Sequence, residues 1–286
     1  MELFELYNNL ITETTEDINE LGMLADDVLM FFVKLNETDL KSLIKYLKKN
    51  YPNDIEDDIY FNFNDGYKLS YITNETIPKY KRLNPFINIH ELYIVFKRFM
   101  SAEGVYSKDK NTIYLKFNVC SGYCFIRCLI GWYDNDKRYS FVGVTDSSTE
   151  SLFRLMQHFF RDTLIHELQH AFDDYRSHGQ YSQNKKSAQY QKNLKYNPFN
   201  TEASLTPEER KIYLSLPHEY WARFSAFVNG MNFKGDRAYD TDFNHLFRIF
   251  EMFFEGWRTL DEKDQKRLIK ALYKYNEFLK EKENNL

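Results

Sequence analysis

The sequence predicts an α+β fold, with a mainly antiparallel sheet packed on a central helix and extra helices at both ends. Three observations carry this expectation. Strand signals separated by turn residues fill residues 104 to 145. A helical pattern follows directly, through Leu152, Leu155, Met156, Phe159 and Phe160 into residues 163 to 172. Apolar residues recur at helical spacing near both ends of the chain. The chain accordingly divides into an N-terminal helical region with a small hairpin (1–102), a core (103–230) and C-terminal helices packed on that core (231–286).

The elements follow in order. Ile18, Leu21, Leu24, Ala25, Val28, Leu29 and Phe32 repeat at helical spacing behind an acidic start at Thr14-Thr15-Glu16-Asp17. A second helix is expected to open at Thr38-Asp39, run to Lys49 and stop before Pro52. Between 55 and 75, Ile59, Phe61 and Phe63, then Tyr67, Leu69 and Tyr71, alternate around Asp65-Gly66, a hairpin signal. A short helix is expected from Ile89 to Met100, carrying Leu92, Val95, Phe96 and Phe99. Residues 104 to 107 and 112 to 117 flank the charged turn Lys108-Asp109-Lys110-Asn111 and read as a hairpin. Strand signals continue from Asn118 to Tyr133 and, after Asp134-Asn135-Asp136, from Tyr139 to Thr145. Ser147-Ser148-Thr149-Glu150 has the composition of a helix cap. Residues 176 to 205 turn polar and read as a loop or flap. Thr206-Pro207 opens a short helix, Pro217 opens another, and two amphipathic helices follow at 240 to 257 and 261 to 283.

Composition narrows the function. With 43% hydrophobic and 17% aromatic residues among 286, the chain can bury a large core, which excludes a disordered polymer. A net charge of −4 with only short basic runs gives no footprint for nucleic acid. Apolar runs such as Val28 to Val33 are far too short to span a bilayer, so no membrane partner is expected. The first residues, Met1-Glu2-Leu3-Phe4-Glu5, lack the basic start and apolar core of a signal peptide. An odd count of 3 cysteines argues against a disulfide framework. The expected compartment is therefore the cytoplasm, or the host cytoplasm if the chain is encoded by a virus or phage. Cys120, Cys124 and Cys128 lie at even spacing among apolar residues, which favours buried packing over a thiolate metal site.

The chemistry concentrates in His166-Glu167-Leu168-Gln169-His170. Residues four apart share one helix face, so His166 and His170 can direct their imidazoles at one metal ion, and two neutral imidazoles suit zinc. Glu167 sits beside that face, where a carboxylate can take a proton from a water at the metal. The uncharged flanks Leu164, Leu168, Gln169, Ala171 and Phe172 fit a buried helix. His90-Glu91 is only a partial echo, because Ile94 stands in place of the second ligand.

A catalytic zinc needs a third protein ligand. A histidine six residues after His170 would fall at position 176, which is Arg176. Asp173 and Asp174 lie one turn on, better placed to orient an imidazole than to close the metal shell. Glu219, early on a later helix, is the favoured ligand and His218 the next best, because neighbours on a helix point about 100° apart.

The stretch 163–172, the strand at 112–115 ahead of it and Glu219-Tyr220-Trp221-Ala222-Arg223-Phe224 resemble the zincin metallopeptidases of the gluzincin type. The later helix is similar to the third-ligand helix of ImmA/IrrE-like and phage-encoded metallopeptidases. The resemblance covers about residues 103 to 230. It implies a zincin-like fold on an active-site helix, zinc (Zn2+) on His166, His170 and Glu219, and Glu167 as general base. A protein or peptide substrate would lie extended along an edge strand. His218, Tyr220 and Arg223 are the candidates for steadying the oxyanion of peptide hydrolysis. The alternative from another class is a non-catalytic zinc-containing protein that binds a partner through its helical flanks.

Overall fold

The computed structural model describes residues 15–50, 67–71, 91–96, 104–107, 112–116, 119–176, 206–233 and 243–284. Helices make up most of them. Helix α1 spans Thr15–Asn50, and strands β1 (Tyr67–Tyr71), β2 (Glu91–Phe96), β3 (Gly104–Ser107) and β4 (Thr112–Lys116) follow. Then come α2 (Val119–Tyr133), a 3-10 helix (Lys137–Val142), α3 (Thr149–Arg176), α4 (Pro207–Leu214) and α5 (Pro217–Phe233). Helix α6 (Phe243–Phe253), a single 3-10 turn (Trp257–Thr259) and α7 (Glu262–Asn284) complete the order. No helix among the described residues is long and apolar enough to cross a membrane.

The expected α+β class, built on a mainly antiparallel sheet, does not hold, because the described residues are predominantly helical. Two segments read as strands are helical: residues 119 to 133 form α2, and residues 139 to 145 fall in and after the 3-10 helix. The burial pattern explains the first. Phe125, Ile126, Leu129 and Ile130 are buried together with Cys128 and Trp132, a pattern without the period of two that a strand requires. What remains of a sheet is small and mixed, in the order β1-β2-β4-β3, with β2 and β4 parallel and the other two pairs antiparallel.

Other expectations fare differently. The hairpin of residues 104 to 117 forms as the β3–β4 pair, Val105 opposite Tyr114. The helix expected from Ile89 to Met100 is instead the strand Glu91–Phe96, and its apolar residues Leu92, Ile94 and Val95 suit either state. Strand β1 pairs with β2, while the expected strand at 59–63, its turn and the polar segment 177–205 lie outside the described residues. The two N-terminal helices are one, α1. Asn36, just before the expected start at Thr38, is buried and its Nδ2 donates to the Phe32 carbonyl (2.9 Å) within the helix, while Thr38 and Asp39 are exposed. The buried stripe meanwhile keeps phase from Phe32 and Val33 to Leu40, Leu43, Ile44 and Leu47.

Two apolar clusters flank the site. The larger joins α1, α2 and α3 with Ile113 and Leu115 of β4. The smaller joins α5, α6 and α7 around Tyr220, Phe224 and Phe250. Helix α3 runs unbroken for 28 residues, started by Ser148, whose Oγ accepts from the Ser151 N–H (3.2 Å). Helix α4 starts with the capping box of Thr206 and Glu209, with Pro207 in its first turn.

Candidate metal centre

The site forms where α3 packs on α5. Arg161 reaches the Asn229 carbonyl (2.9 Å) at one end of the contact, while His166 and His170 meet Glu219 at the other, so the helices run antiparallel. Between these points Ser225 Oγ donates to Gln169 Oε1 (2.7 Å), and Gln169 Nε2 donates to Asp173 Oδ1 (3.0 Å). Gln169 and Ser225 are fully buried, so this bond fixes the register of one helix against the other.

That register brings the first turn of α5 to the histidine face. The two imidazole Nε2 atoms lie 3.0 Å apart. Glu219 Oε2 lies 3.5 Å from His166 Nε2, and Oε1 lies 3.7 Å from His170 Nε2. One ligand atom from each of the three residues falls within 4.8 Å of the others. His218 also joins the edge of the group: its Nε2 is 3.5 Å from Glu219 Oε1 and its ring centroid 5.8 Å from that of His170. The 100° between neighbouring positions is thus overcome by side-chain length.

Burial pushes His170 well below its ordinary value of 6.5, against the opposing pull of the Glu219 charge. Burial lowers His218 likewise. For Glu219, burial works to raise the carboxyl, yet it sits well below 4.5, because the surrounding histidines and Arg223 favour its ionised form. Arg223, whose guanidinium is a permanent cation, adds to the pull of the histidines on Glu219. Two imidazole nitrogens and a carboxylate converging on one point make a donor set suited to a divalent transition-metal ion such as zinc.

Glu167 stands apart from the three ligand atoms. It is buried, and strand β3 passes directly over it: a Cβ on Gly104 would lie 2.5 Å from Glu167 Oε1 and 2.8 Å from Thr163 Cγ2. Only glycine permits this approach of backbone to carboxylate. Asp173 serves Gln169, as described, and the charge of Asp174 reaches Tyr106 on β3, whose phenol is pushed up to about 12, first by burial and then by that charge. Neither aspartate enters the ligand group. Tyr220 donates from its hydroxyl to Asp264 on α7 (3.0 Å), away from the histidines. Arg223 donates to Glu219 Oε2 (3.2 Å) and stacks on the Tyr213 ring.

Sequence reasoning did not single out Gly104, Gln169 or Ser225 for these roles. The i, i+4 spacing of Glu219 and Arg223 was a readable sign of their ion pair. Of the cysteines, Cys128 is buried and Cys124 exposed, so the expected burial holds for one of these two. No family model, no curated protein and no solved structure matches this chain.

Proposed function

We propose that this chain is a zinc-dependent hydrolase of peptide bonds. The observation that carries the reading is the convergence of His166, His170 and Glu219, drawn from two helices, on one point. These three residues would hold the metal. A zinc ion bound there supplies Lewis acidity, lowering the pKa of a water and polarising a carbonyl. Glu167, one position from His166, takes a proton from the attacking water and returns it to the leaving amine. His218, at the edge of the ligand group beside His170, is the donor we assign to the oxyanion. An extended peptide would add along the edge of β3 not paired with β4. The 3 cysteines fit a reducing compartment, and we infer the cytoplasm.

The test combines metal content with cleavage. Native mass spectrometry is expected to find one zinc per chain, lost or weakened in His170→Ala and Glu219→Ala. Glu167→Gln is expected to keep zinc while cleavage of a peptide library falls about a hundredfold or more. Cleavage unchanged by Glu167→Gln would overturn the mechanism. Tight zinc without cleavage would favour a non-catalytic zinc protein instead.

A further inference from the structure

We propose that Arg223 and Glu255 form a charge relay that positions the Glu219 carboxylate for the metal. The proposal rests on the zinc-site reading above and deepens it. Arg223 lies one turn after Glu219 on α5, and its Nη1 is 3.2 Å from Glu219 Oε2. Its Nε is 3.8 Å from Glu255 Oε2, in the turn between α6 and the 3-10 helix. Glu255 is also paired through Oε1 with Nη2 of Arg210 on α4. The result is a ladder of alternating charge, Arg210, Glu255, Arg223, Glu219, leading to the histidines. Its inner side chains are 12% and 8% exposed (Arg223 and Glu219), and its outer ones 46% and 47% (Arg210 and Glu255).

The surroundings hold the ladder in place. Tyr213 of α4 lies under the Arg223 guanidinium, 5.0 Å from its centre. The turn carrying Glu255 is set by Gly256, at φ 85°, a conformation that disfavours side chains. A Cβ there would also lie 2.9 Å from Cβ of Leu214, so this turn packs directly on the end of α4.

The arrangement resolves a conflict. A guanidinium beside Glu219 fixes the carboxylate in the orientation that faces both histidines, which favours metal binding by preorganisation. The same positive charge repels a dication. Glu255 offsets that charge from the far side while leaving the fork of Arg223 on Glu219. Arg223 is therefore a positioning residue, and Glu255 acts only through it.

The experiment measures Zn2+ affinity by competition with a chromophoric chelator, with the melting temperature of the zinc-free form recorded in parallel. Glu255→Gln changes a half-exposed side chain and is expected to leave that melting temperature unchanged while weakening zinc about three- to tenfold. Arg223→Gln is expected to weaken zinc about tenfold or more, with Arg223→Lys recovering only part because it lacks the planar fork. In the Arg223→Gln background, Glu255→Gln is expected to have no further effect, the non-additivity of groups acting in series. Wild-type affinity in Glu255→Gln, or equal effects of that change in both backgrounds, would overturn the relay while leaving the zinc site intact. A native chain that takes up no Zn2+ would overturn the site and the relay together.

Discussion

Two buried polar clusters sit on the same pair of helices, and they differ in whether they are complete. At one end of the α3–α5 contact, Arg161 donates from Nε to Asp26 Oδ1 (2.7 Å), from Nη2 to Asp26 Oδ2 (3.0 Å) and from Nη1 to the Asn229 carbonyl. Gln157 donates to Asp26 as well, and Asn229 Nδ2 donates to the carbonyls of Ile18 and Ser225, both at 2.9 Å. Each of these donors meets an acceptor. At the other end, two imidazole nitrogens and a carboxylate converge on one another. The one proton an Nε2 can carry serves only one of these contacts. A closed cluster locks helices, whereas an open one has an excess of acceptors that a cation completes.

The largest effects should separate the clusters. Asp26→Ala leaves the buried Arg161 guanidinium without its counter-ion and is expected to cost about 3 kcal/mol of stability, read from urea unfolding of the zinc-free protein. Its zinc stoichiometry is expected to stay at the native value. A cost under about 1 kcal/mol would show that the network is not what locks α1, α3 and α5 together.

The open cluster should behave in the opposite way. Zinc at a hundred times its Kd is expected to add about 2.7 kcal/mol to the wild type and to Asp26→Ala, since only the folded chain holds the ligands together. The same metal is expected to add little to Glu219→Ala. Equal protection of that variant, measured by thermal unfolding, would place zinc somewhere other than this cluster.

Gly104→Ala sharpens the comparison on the β3 side. The new methyl would meet Glu167 and Thr163, and the strain is expected to cost about 1–3 kcal/mol if β3 stays seated. Zinc affinity should hold, because the atoms nearest the new methyl belong to Glu167 and Thr163 and not to a ligand, while peptide cleavage should fall as Glu167 is displaced. Unchanged cleavage would separate Glu167 from the chemistry.

How much of this was legible in the sequence follows from what each feature depends on. His166, Glu167 and His170 are local: their spacing on a helix is fixed within five residues, so a sequence reading can name them. Glu219 was reachable because few residue types can complete such a ligand set. The fold was not reachable in the same way. The segment 119–133 is apolar nearly throughout, and such runs carry no period to separate a buried strand from a buried helix. The break expected near Thr38 failed because the buried stripe of α1 continues through it, and tertiary packing outweighs a capping signal. Gly104 over Glu167 and Ser225 on Gln169 are contacts between distant segments, which no local pattern encodes.

The smallest expected effects are those of pH, and they also distinguish the regions. His170 titrates well below 6.5 in the folded chain and near 6.5 when unfolded, so the unfolded state binds more protons as pH drops below about 6.5. Stability of the zinc-free protein is therefore lost on acidification through that window, and His218 acts in the same direction. Glu219, held below 4.5, adds a further loss as pH falls below 4.5 toward its folded value. Tyr106 has the opposite limb: its folded value of about 12 lies above its ordinary 10.0, so stability falls as pH rises from 10 toward 12. Each group contributes a slope of at most about 1.4 kcal/mol per pH unit. Urea titrations of the zinc-free protein from pH 4 to 11 should show both limbs. In His170→Ala the limb just below pH 6.5 should flatten, and in Tyr106→Phe the alkaline limb should flatten. An acid limb that survives removal of His170 unchanged would mean that the open cluster does not set the response to acid, and the contrast between the two clusters would lose its electrostatic half.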